Sequence, residues 1–296
     1  MKSDGKRQGT IQLLAPAKIT PYLRVLERRP DGYHDVDLAL VPISLYDSLN
    51  FRLTPGAPTA LTVESPEPLG PEADNLVMRA ARAYREALAE PVSAAIHLTK
   101  RIPAAAGLGG GSADAAATLV ALERLMGSPL GPGRLREIAA GLGADVPFFL
   151  DPRPCRAQGS GKRLQPLPGG VVLPLVVVKP AFPIRTAEAY GAVRPSAENL
   201  DAPGFPRLGK MHDSLHNDFE AALFPRFPEL GAIKARLLAA GALGALLSGA
   251  GSAVFGVFSS PTARDGALDG LSDQRGWRVF ACRTLTRHDY FAETVI

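Results

Sequence analysis

A glycine-rich run followed by a helical pattern is the part of this sequence best suited to chemistry. The run extends from Gly107 to Ser112. Apolar residues then recur at helical spacing, at Ala115, Leu119, Leu122 and Met126. Glycines let a backbone approach a ligand closely, and the free N–H groups at a helix N-terminus attract anions, so the segment predicts a phosphate cradle. The strand pattern before it and the helix after it disfavour the alternative of a flexible connector.

The glycine-rich segments do not fit the two most common nucleotide-binding fingerprints. A P-loop ends in Gly-Lys followed by Ser or Thr, but here Gly161-Lys162 is followed by Arg163. A dinucleotide-binding G-x-G-x-x-G run fails at its third glycine, at Ser112 in the first loop and at Val254 after a second glycine turn, Ser248–Ser252. This second turn could close over a phosphate or support the first loop, and the sequence leaves both options open.

The elements that must position these loops alternate between strands and helices in both halves of the chain. Alternating apolar residues and short apolar runs predict strands at residues 11–26, 36–45, 94–100, 171–178 and 253–258, with a turn at 29–32. Helical spacing predicts helices at residues 73–88, 113–126, 135–142, 218–223 and 230–240. Asp74 is the expected N-cap of the first helix. Residues 1–9 are polar and glycine-bearing and predict a frayed tail.

A passage rich in proline and glycine, residues 152–170, separates two mixed halves. It is the predicted domain junction, and we place two domains at residues 1–165 and 166–296. At 296 residues the chain has the length of about two domains.

Composition and charge exclude several classes of protein. Hydrophobic residues make up 46% of the chain, charged residues 21%, and the formal net charge is only +4, which is typical of a globular protein. The arginines are scattered, so no nucleic-acid-binding patch is predicted, and a small anionic substrate suits the charge equally well. The longest apolar stretch, 171–178, is far shorter than the roughly 18 residues of a membrane span. Two cysteines, Cys155 and Cys282, are too few for a disulfide scaffold, and a cytoplasmic location is expected.

Several segments together resemble the GHMP kinase superfamily. The run from Pro103 to Ala116 is similar to its phosphate-binding motif, and Ser248–Ser252 to its third motif. Three further segments narrow the resemblance to the 4-diphosphocytidyl-2-C-methyl-D-erythritol kinase family. They are Pro-Ala-Lys-Ile at 16–19 with Arg-Arg-Pro-Asp-Gly-Tyr-His at 28–34, Gly-Ala-Asp-Val-Pro-Phe-Phe at 143–149, and Asn-Asp-Phe-Glu at 217–220. The resemblance covers nearly the whole chain. It implies an α+β fold, with an N-terminal ribosomal-protein-S5-like domain and a C-terminal ferredoxin-like α/β-plait domain.

The resemblance also implies a reaction and the residues that perform it. The family uses ATP with Mg²⁺ to phosphorylate the 2-hydroxyl of 4-diphosphocytidyl-2-C-methyl-D-erythritol, a step in non-mevalonate isoprenoid precursor biosynthesis. By its match to the Gly-Ala-Asp block, Asp145 would be the catalytic base. Lys18, matched through Pro-Ala-Lys, would stand beside it and stabilise developing charge. Read in isolation, Asp145 would be a turn acid and Lys18 an exposed strand residue.

The remaining implied site residues bind the two substrates. Asn75 would help to hold adenine, or would only cap a helix. The phosphates would lie against Pro103, Gly107, Leu108, Gly109, Gly110, Gly111 and Ser112. Ser112 would contact the magnesium nucleotide or only cap the following helix, and no side chain is predicted as a metal ligand. His212 and His216 have metal-ligand spacing, with Asp213 and Asp218 nearby, but no third ligand at matching spacing is evident.

Substrate recognition would fall to Tyr33 and His34, which the family uses for cytosine, and to Thr20. The family usually carries asparagine at the position of Thr20, and threonine can form one hydrogen bond here but lacks the paired donor and acceptor of an amide. Two other functions stay open: a homoserine or mevalonate kinase, whose substrates carry no base to recognise, and a nucleotide-binding sensor that transfers no phosphate. We expect a monomer or a weak homodimer.

Overall fold

The fold begins with a long antiparallel hairpin, strand β1 (Thr10–Arg28) and strand β2 (His34–Leu53). The computed structural model describes residues 9–30, 32–168, 171–194, 208–272, 274 and 276–294. Both strands were predicted, but β2 continues beyond residue 45 to Leu53. The predicted tail at 1–9 lies outside the described residues, except for Gly9.

The first sheet is built on this hairpin. It adds β3 (Ala60–Glu64), β4 (Ala94–Thr99), β5 (Cys155–Gly159), β6 (Arg163–Pro166) and β8 (His216–Asn217). Its order is β3-β4-β2-β1-β8, and β5 pairs with the early part of β2 and with β6. The predicted domain junction at 152–170 therefore includes two strands of the first sheet, which the sequence did not predict. Its glycines turn a hairpin whose Cys155 and Ala157 are buried in the core of this sheet.

Four helices are described between residues 76 and 149. They are α1 (Leu76–Leu88), α2 (Gly110–Leu125), α3 (Gly131–Leu142) and α4 (Val146–Phe149). The prediction that Asp74 caps α1 was wrong. Asp74 ends a 3₁₀ turn, Glu72–Asp74, and Asn75 is the N-cap, whose Oδ1 accepts a hydrogen bond of 2.9 Å from the N–H of Val77. Helix α2 begins at Gly110, earlier than the predicted residue 113.

The second sheet is antiparallel and contains β7 (Pro174–Lys179), β9 (Gly244–Leu247), β10 (Val254–Val257) and β11 (Arg278–Arg283). Its order is β11-β7-β10-β9. Helices follow β7 and β10, which gives the β-α-β-β-α-β order of a ferredoxin-like plait. The helices of this half are α5 (Thr186–Ala192), α6 (Phe219–Leu223), α7 (Pro228–Ala239), α8 (Pro261–Ser272) and α9 (Arg287–Thr294), with a 3₁₀ segment at Leu208–Ser214. The predicted strand start at residue 171 was wrong, because Val171 and Val172 are exposed and precede β7.

One hydrophobic cluster joins the two sheets. It combines Ile19 and Ile43 of the first sheet with Val177 and Phe255 of the second, all of them fully buried. The first sheet's strand β6 ends at Pro166 and the second sheet begins at Pro174. The domain boundary at 165/166 stays a prediction. Within the described residues, no helix is both long and apolar enough to cross a membrane.

Candidate active site

At two positions of the glycine-rich loop, the backbone conformation and the close neighbours allow only glycine. Gly107 and Gly109 have φ angles of +73° and +74°. A Cβ at Gly107 would lie 1.9 Å from the carbonyl oxygen of Ser248, and a Cβ at Gly109 would lie 2.8 Å from the ring of Phe149. The loop is therefore pressed against its neighbours on both sides, and its backbone rather than its side chains faces the cavity.

Helix α2 presents free backbone donors directly after this loop. Gly109 is its N-cap and offers no capping side chain, and the first bond back to it is donated by Ala113 N–H at 2.9 Å. The N–H groups of residues 110–112 precede that bond and have no acceptor within the helix. These donors and the helix dipole suit an anion, and the phosphate cradle at this position stays a prediction. Ser112 lies inside the first turn, so its alternative role as the N-cap is wrong.

The second glycine turn supports the first. The hydroxyl of Ser248 donates to the carbonyl of Gly107 at 3.1 Å, and the N–H of Ala253 donates to the carbonyl of Ala106 at 3.1 Å. The side-chain amide of Asn217 donates to the carbonyls of Leu247 and Gly249, both at 2.8 Å, and so holds the turn from the other side. Gly249 also lines the cavity. The turn thus supports the loop and borders the site.

Lys18 and Asp145 meet at the cavity although they are far apart in sequence. Lys18 Nζ lies 3.7 Å from Asp145 Oδ2 and donates to Thr20 Oγ1 at 3.1 Å. Lys18 is only 5% exposed, so its interpretation as an exposed strand residue was wrong. Its backbone N–H donates to the carbonyl of Leu108 at 2.9 Å, which ties β1 to the glycine loop. Asp145 lies at the break between α3 and α4, where Pro147 prevents one continuous helix.

Aromatic rings form another wall of the cavity. His34 stacks on Tyr190 with 5.1 Å between ring centroids, and Tyr190 meets Phe219 edge to face at 4.9 Å. Burial and the nearby Arg28 keep the pKa of His34 below its usual range, so its neutral ring offers one donor and one acceptor. Burial, with a contribution from Asp145, raises the pKa of Tyr190 to about 12. Tyr33 is 71% exposed, which rules out its alternative role at the edge of the core.

A single cavity of about 700 Å³ brings the predicted site residues together. It is lined by Lys18, Thr20, Tyr33, His34, Asn75, Pro103, Gly107, Gly109, Gly110, Gly111, Ser112 and Asp145. Leu108 is the exception, because its side chain is 1% exposed and packs in the core. Asn75 both caps α1 and lines the cavity, so its two expected roles are compatible.

Comparison with known proteins places this geometry in a family. The GHMP kinases N terminal domain matches residues 75–151, and the GHMP kinases C terminal domain matches residues 196–275. The 4-diphosphocytidyl-2-C-methyl-D-erythritol kinase of Syntrophotalea carbinolica is 40% identical, over 90% of this chain and 96% of the relative. That of Pelotomaculum thermopropionicum is 44% identical, over 83% of this chain and 88% of the relative. The chain belongs to this kinase family.

A solved structure agrees with this membership. The crystal structure of a 4-(cytidine 5'-diphospho)-2C-methyl-D-erythritol kinase has a TM-score of 0.78 and 37% identity, and covers 93% of this chain and 99% of its own. The homoserine kinase of Cytophaga hutchinsonii has a TM-score of 0.69 at 18% identity, over 97% of each chain, which shows the shared fold alone. The two-domain α+β GHMP kinase fold that the sequence predicts is confirmed, and the chain is an ATP-dependent kinase.

Sequence reasoning missed several residues that line the cavity of this kinase, among them Lys100, Asp114 and Tyr190. Lys100 lies between two buried carboxylates, Asp47 and Asp114, and its Nζ is 2.7 Å from Asp114 Oδ2. The spacing of apolar residues cannot reveal a buried cluster of charges. The positions of Lys100 and Asp114 on either side of the glycine loop are the sequence feature that could have indicated this one. Tyr190 lies on the short helix α5, outside every motif, and nothing in its local sequence marks it.

Proposed function

We propose that this protein transfers the γ-phosphoryl group of ATP to the 2-hydroxyl of 4-diphosphocytidyl-2-C-methyl-D-erythritol. The observation that carries the proposal is the 3.7 Å approach of Lys18 Nζ to Asp145 Oδ2 in the cavity that also contains the glycine cradle. Phosphoryl transfer requires a fixed phosphate tail, an aligned hydroxyl and a group that accepts the hydroxyl's proton. One cavity supplies candidates for all three.

Asp145 and Lys18 have complementary tasks in this reaction. The carboxylate of Asp145 accepts the proton of the attacking hydroxyl as the oxygen–phosphorus bond forms. The ammonium of Lys18 stabilises the negative charge that grows on the oxygen and on the transferred group. Burial strengthens this effect, because Lys18 is 5% exposed, and Thr20 holds its Nζ in place through a 3.1 Å hydrogen bond.

The phosphate tail fits the N-terminus of α2. Residues 110–112 offer backbone donors, and Gly107 and Gly109 let the loop pack closely against Ser248 and Phe149, which fixes the position of these donors. Mg²⁺ would neutralise phosphate charge. The described residues contain no group of three His, Cys, Asp or Glu side chains that would hold a metal ion, so phosphate oxygens and water would supply most of its ligands.

The aromatic wall suits a pyrimidine base. The stacked rings of His34 and Tyr190 provide a π-face, and neutral His34 offers a donor and an acceptor to a base edge. Homoserine and mevalonate carry no base and would not use this wall. The wall therefore favours the cytidyl substrate over the acceptors of those related kinases.

A comparison of acceptors tests the proposal. The purified protein is incubated with ATP and Mg²⁺ and with each of three acceptors: the cytidyl substrate, homoserine or mevalonate. ADP release and the phosphorus NMR spectrum of the product are measured. We expect a kcat/KM at least about 100-fold higher for the cytidyl substrate, because the other two lack the group that the aromatic wall recognises. Nucleotide binding without transfer to any acceptor would instead identify a sensor, and a preference for homoserine or mevalonate would reject the proposed substrate.

A further inference from the structure

A buried cluster of three charged side chains lies beneath the glycine-rich loop. Asp47 comes from β2, Lys100 follows β4, and Asp114 lies in the second turn of α2. Their exposures are 0%, 8% and 3%. Lys100 Nζ is 3.2 Å from the position that a Cβ of Gly110 would occupy, so the cluster touches the first turn of α2. Lys100 and Asp114 also line the cavity.

The two carboxylates of the cluster differ in how many hydrogen bonds they accept. Asp47 Oδ1 accepts the backbone N–H groups of Arg101 at 2.6 Å and Ile102 at 2.9 Å, and its Oδ2 accepts from Lys100. Among the described residues, the carboxylate of Asp114 accepts a hydrogen bond from Lys100 alone, through Oδ2 at 2.7 Å. Its Oδ1 is buried and has no partner in the described part of the chain. A buried anionic oxygen without a donor is unfavourable, so Asp114 is the carboxyl group that holds a proton most readily.

The pKa shifts of Asp114 and Lys100 agree with this difference between the two carboxylates. Burial raises the pKa of Asp114 to about 8, although Lys100 opposes the rise. Burial alone would lower the pKa of Lys100, but Asp114 and Asp47 outweigh it and the pKa of Lys100 is raised. The cluster therefore has zero net charge when Asp114 is neutral and a charge of minus one when Asp114 is ionised.

We propose that nucleotide binding is linked to protonation of Asp114, so that the cavity accepts the anionic phosphate tail with Asp114 neutral and binds it more weakly with Asp114 ionised. The inference rests on the proposed function in one respect, namely that the phosphates lie at the N-terminus of α2. Asp114 is on that helix, and a negative cluster beneath it repels an anion at its start. By linkage, the anion then favours uptake of a proton at Asp114.

The pH dependence that Asp114 would give to nucleotide binding arises within this cluster. The charged groups that act on Asp114 are Lys100 and Asp47. Elsewhere, burial lowers the pKa of Lys179, which donates to the carbonyls of Pro180 and Phe182 in the other half of the chain. Titration of Lys179 would be shared by any variant at position 114. A comparison of wild type with Asp114→Asn therefore isolates Asp114, since asparagine has the shape of the neutral acid and cannot ionise.

Calorimetric titration with ADP and Mg²⁺ tests the inference between about pH 7 and pH 9.5. In the wild type we expect ADP affinity to fall about three- to tenfold over this range, which corresponds to a shift of roughly half to one pKa unit on binding. In Asp114→Asn the fall should be smaller than about twofold. Titrations in buffers of different ionisation enthalpy should show the wild type taking up about 0.2–0.5 protons near pH 8.5, and fewer than about 0.1 near pH 7.

Parallel pH profiles in the two proteins, or no proton uptake by the wild type near pH 8.5, would overturn the inference. If Asp114→Asn failed to fold, a lack of proton uptake by the wild type near pH 8.5 would still overturn the inference, and uptake that persists in Lys179→Met would support it. The readout is binding, so it separates the two proposals. A protein that transfers phosphate but binds ADP without proton uptake rejects only the proton linkage. A protein with proton-linked binding and no transfer rejects only the proposed reaction, and a protein that does not bind ADP rejects both.

Discussion

At the scale of single residues, burial suits Lys18 to its proposed role. An exposed lysine samples many rotamers, whereas Lys18 is enclosed by β1, the glycine loop and Asp145, and its Nζ is fixed by Thr20 at 3.1 Å. A fixed charge stabilises a transition state without first having to reorganise. The threonine that stands where the family usually has asparagine thus retains one contact of direct use, the acceptor for Lys18.

This contact predicts the effect of Thr20→Val. Valine keeps the shape of threonine but removes the acceptor, so Lys18 Nζ loses one fixed partner in a buried position. We expect kcat to fall about three- to tenfold while KM for ATP stays within about twofold, as measured by steady-state kinetics. Thr62→Val, at an exposed position on β3, is the matched control and should leave both constants unchanged. An unaltered kcat in Thr20→Val would show that Thr20 does not position Lys18.

At the scale of elements, two glycine turns and the start of α2 form one interlocked unit. Gly107 lies against Ser248, Ser248 Oγ donates back to the Gly107 carbonyl, and Asn217 holds the second turn from the side of the first sheet. The sequence shows each turn separately but not their contact, because the contact joins residues about 140 positions apart. The cradle is therefore a product of packing between both halves of the chain.

Gly107→Ala tests this interlock. The alanine Cβ would lie 1.9 Å from the Ser248 carbonyl oxygen, and φ of +73° is unfavourable for alanine. We expect a loss of at least about 2 kcal/mol in the free energy of unfolding and at least about tenfold in ADP affinity. Gly141→Ala in α3 is the matched control, since a Cβ there meets nothing within 4 Å. It should gain about 0.5–1 kcal/mol through higher helix propensity. Equal stability of the two variants, measured by urea denaturation, would contradict the interlock.

The sequence predicted which helices and strands form better than it predicted the residues at which they begin and end. Periodicity located the hairpin β1–β2 and the helices around the glycine loop, because each buries one regular face. It missed the two strands at residues 155–166, where glycines and prolines flank a hairpin. Within the site, motif matches located the residues that line the cavity. The buried Lys100 cluster and Tyr190 escaped, since their environment arises only from tertiary contacts.

At the scale of the whole molecule, the two sheets share a core. Ile19 and Ile43 pack in one cluster with Val177 and Phe255, and β8 of the later half pairs with β1. The N–H of Val25 also donates to Asp218 Oδ2 at 2.7 Å, which joins β1 to the start of α6. Separating the two halves would expose this shared apolar surface to water, so we expect the halves to unfold together.

The fluorescence of Trp277 can show whether the two halves unfold together. This residue is the single tryptophan of the chain and lies next to β11, with its Nε1 donating to Glu229 Oε1 at 2.6 Å. Urea transitions followed by its fluorescence and by far-UV circular dichroism should coincide, and saturating ADP should shift both by the same amount. Two separate midpoints would contradict a shared core and would indicate independently folding halves.

In the proposed reaction, Asp145 accepts the proton of the hydroxyl while the glycine cradle holds the nucleotide. The most direct test is kcat for the cytidyl substrate, measured together with ADP affinity, in Asp145→Asn and in the exposed control Asp269→Asn. We expect Asp145→Asn to lower kcat by about 100-fold or more with ADP affinity within about threefold of wild type, and the control to change neither. A kcat equal to that of the wild type in Asp145→Asn would contradict the account.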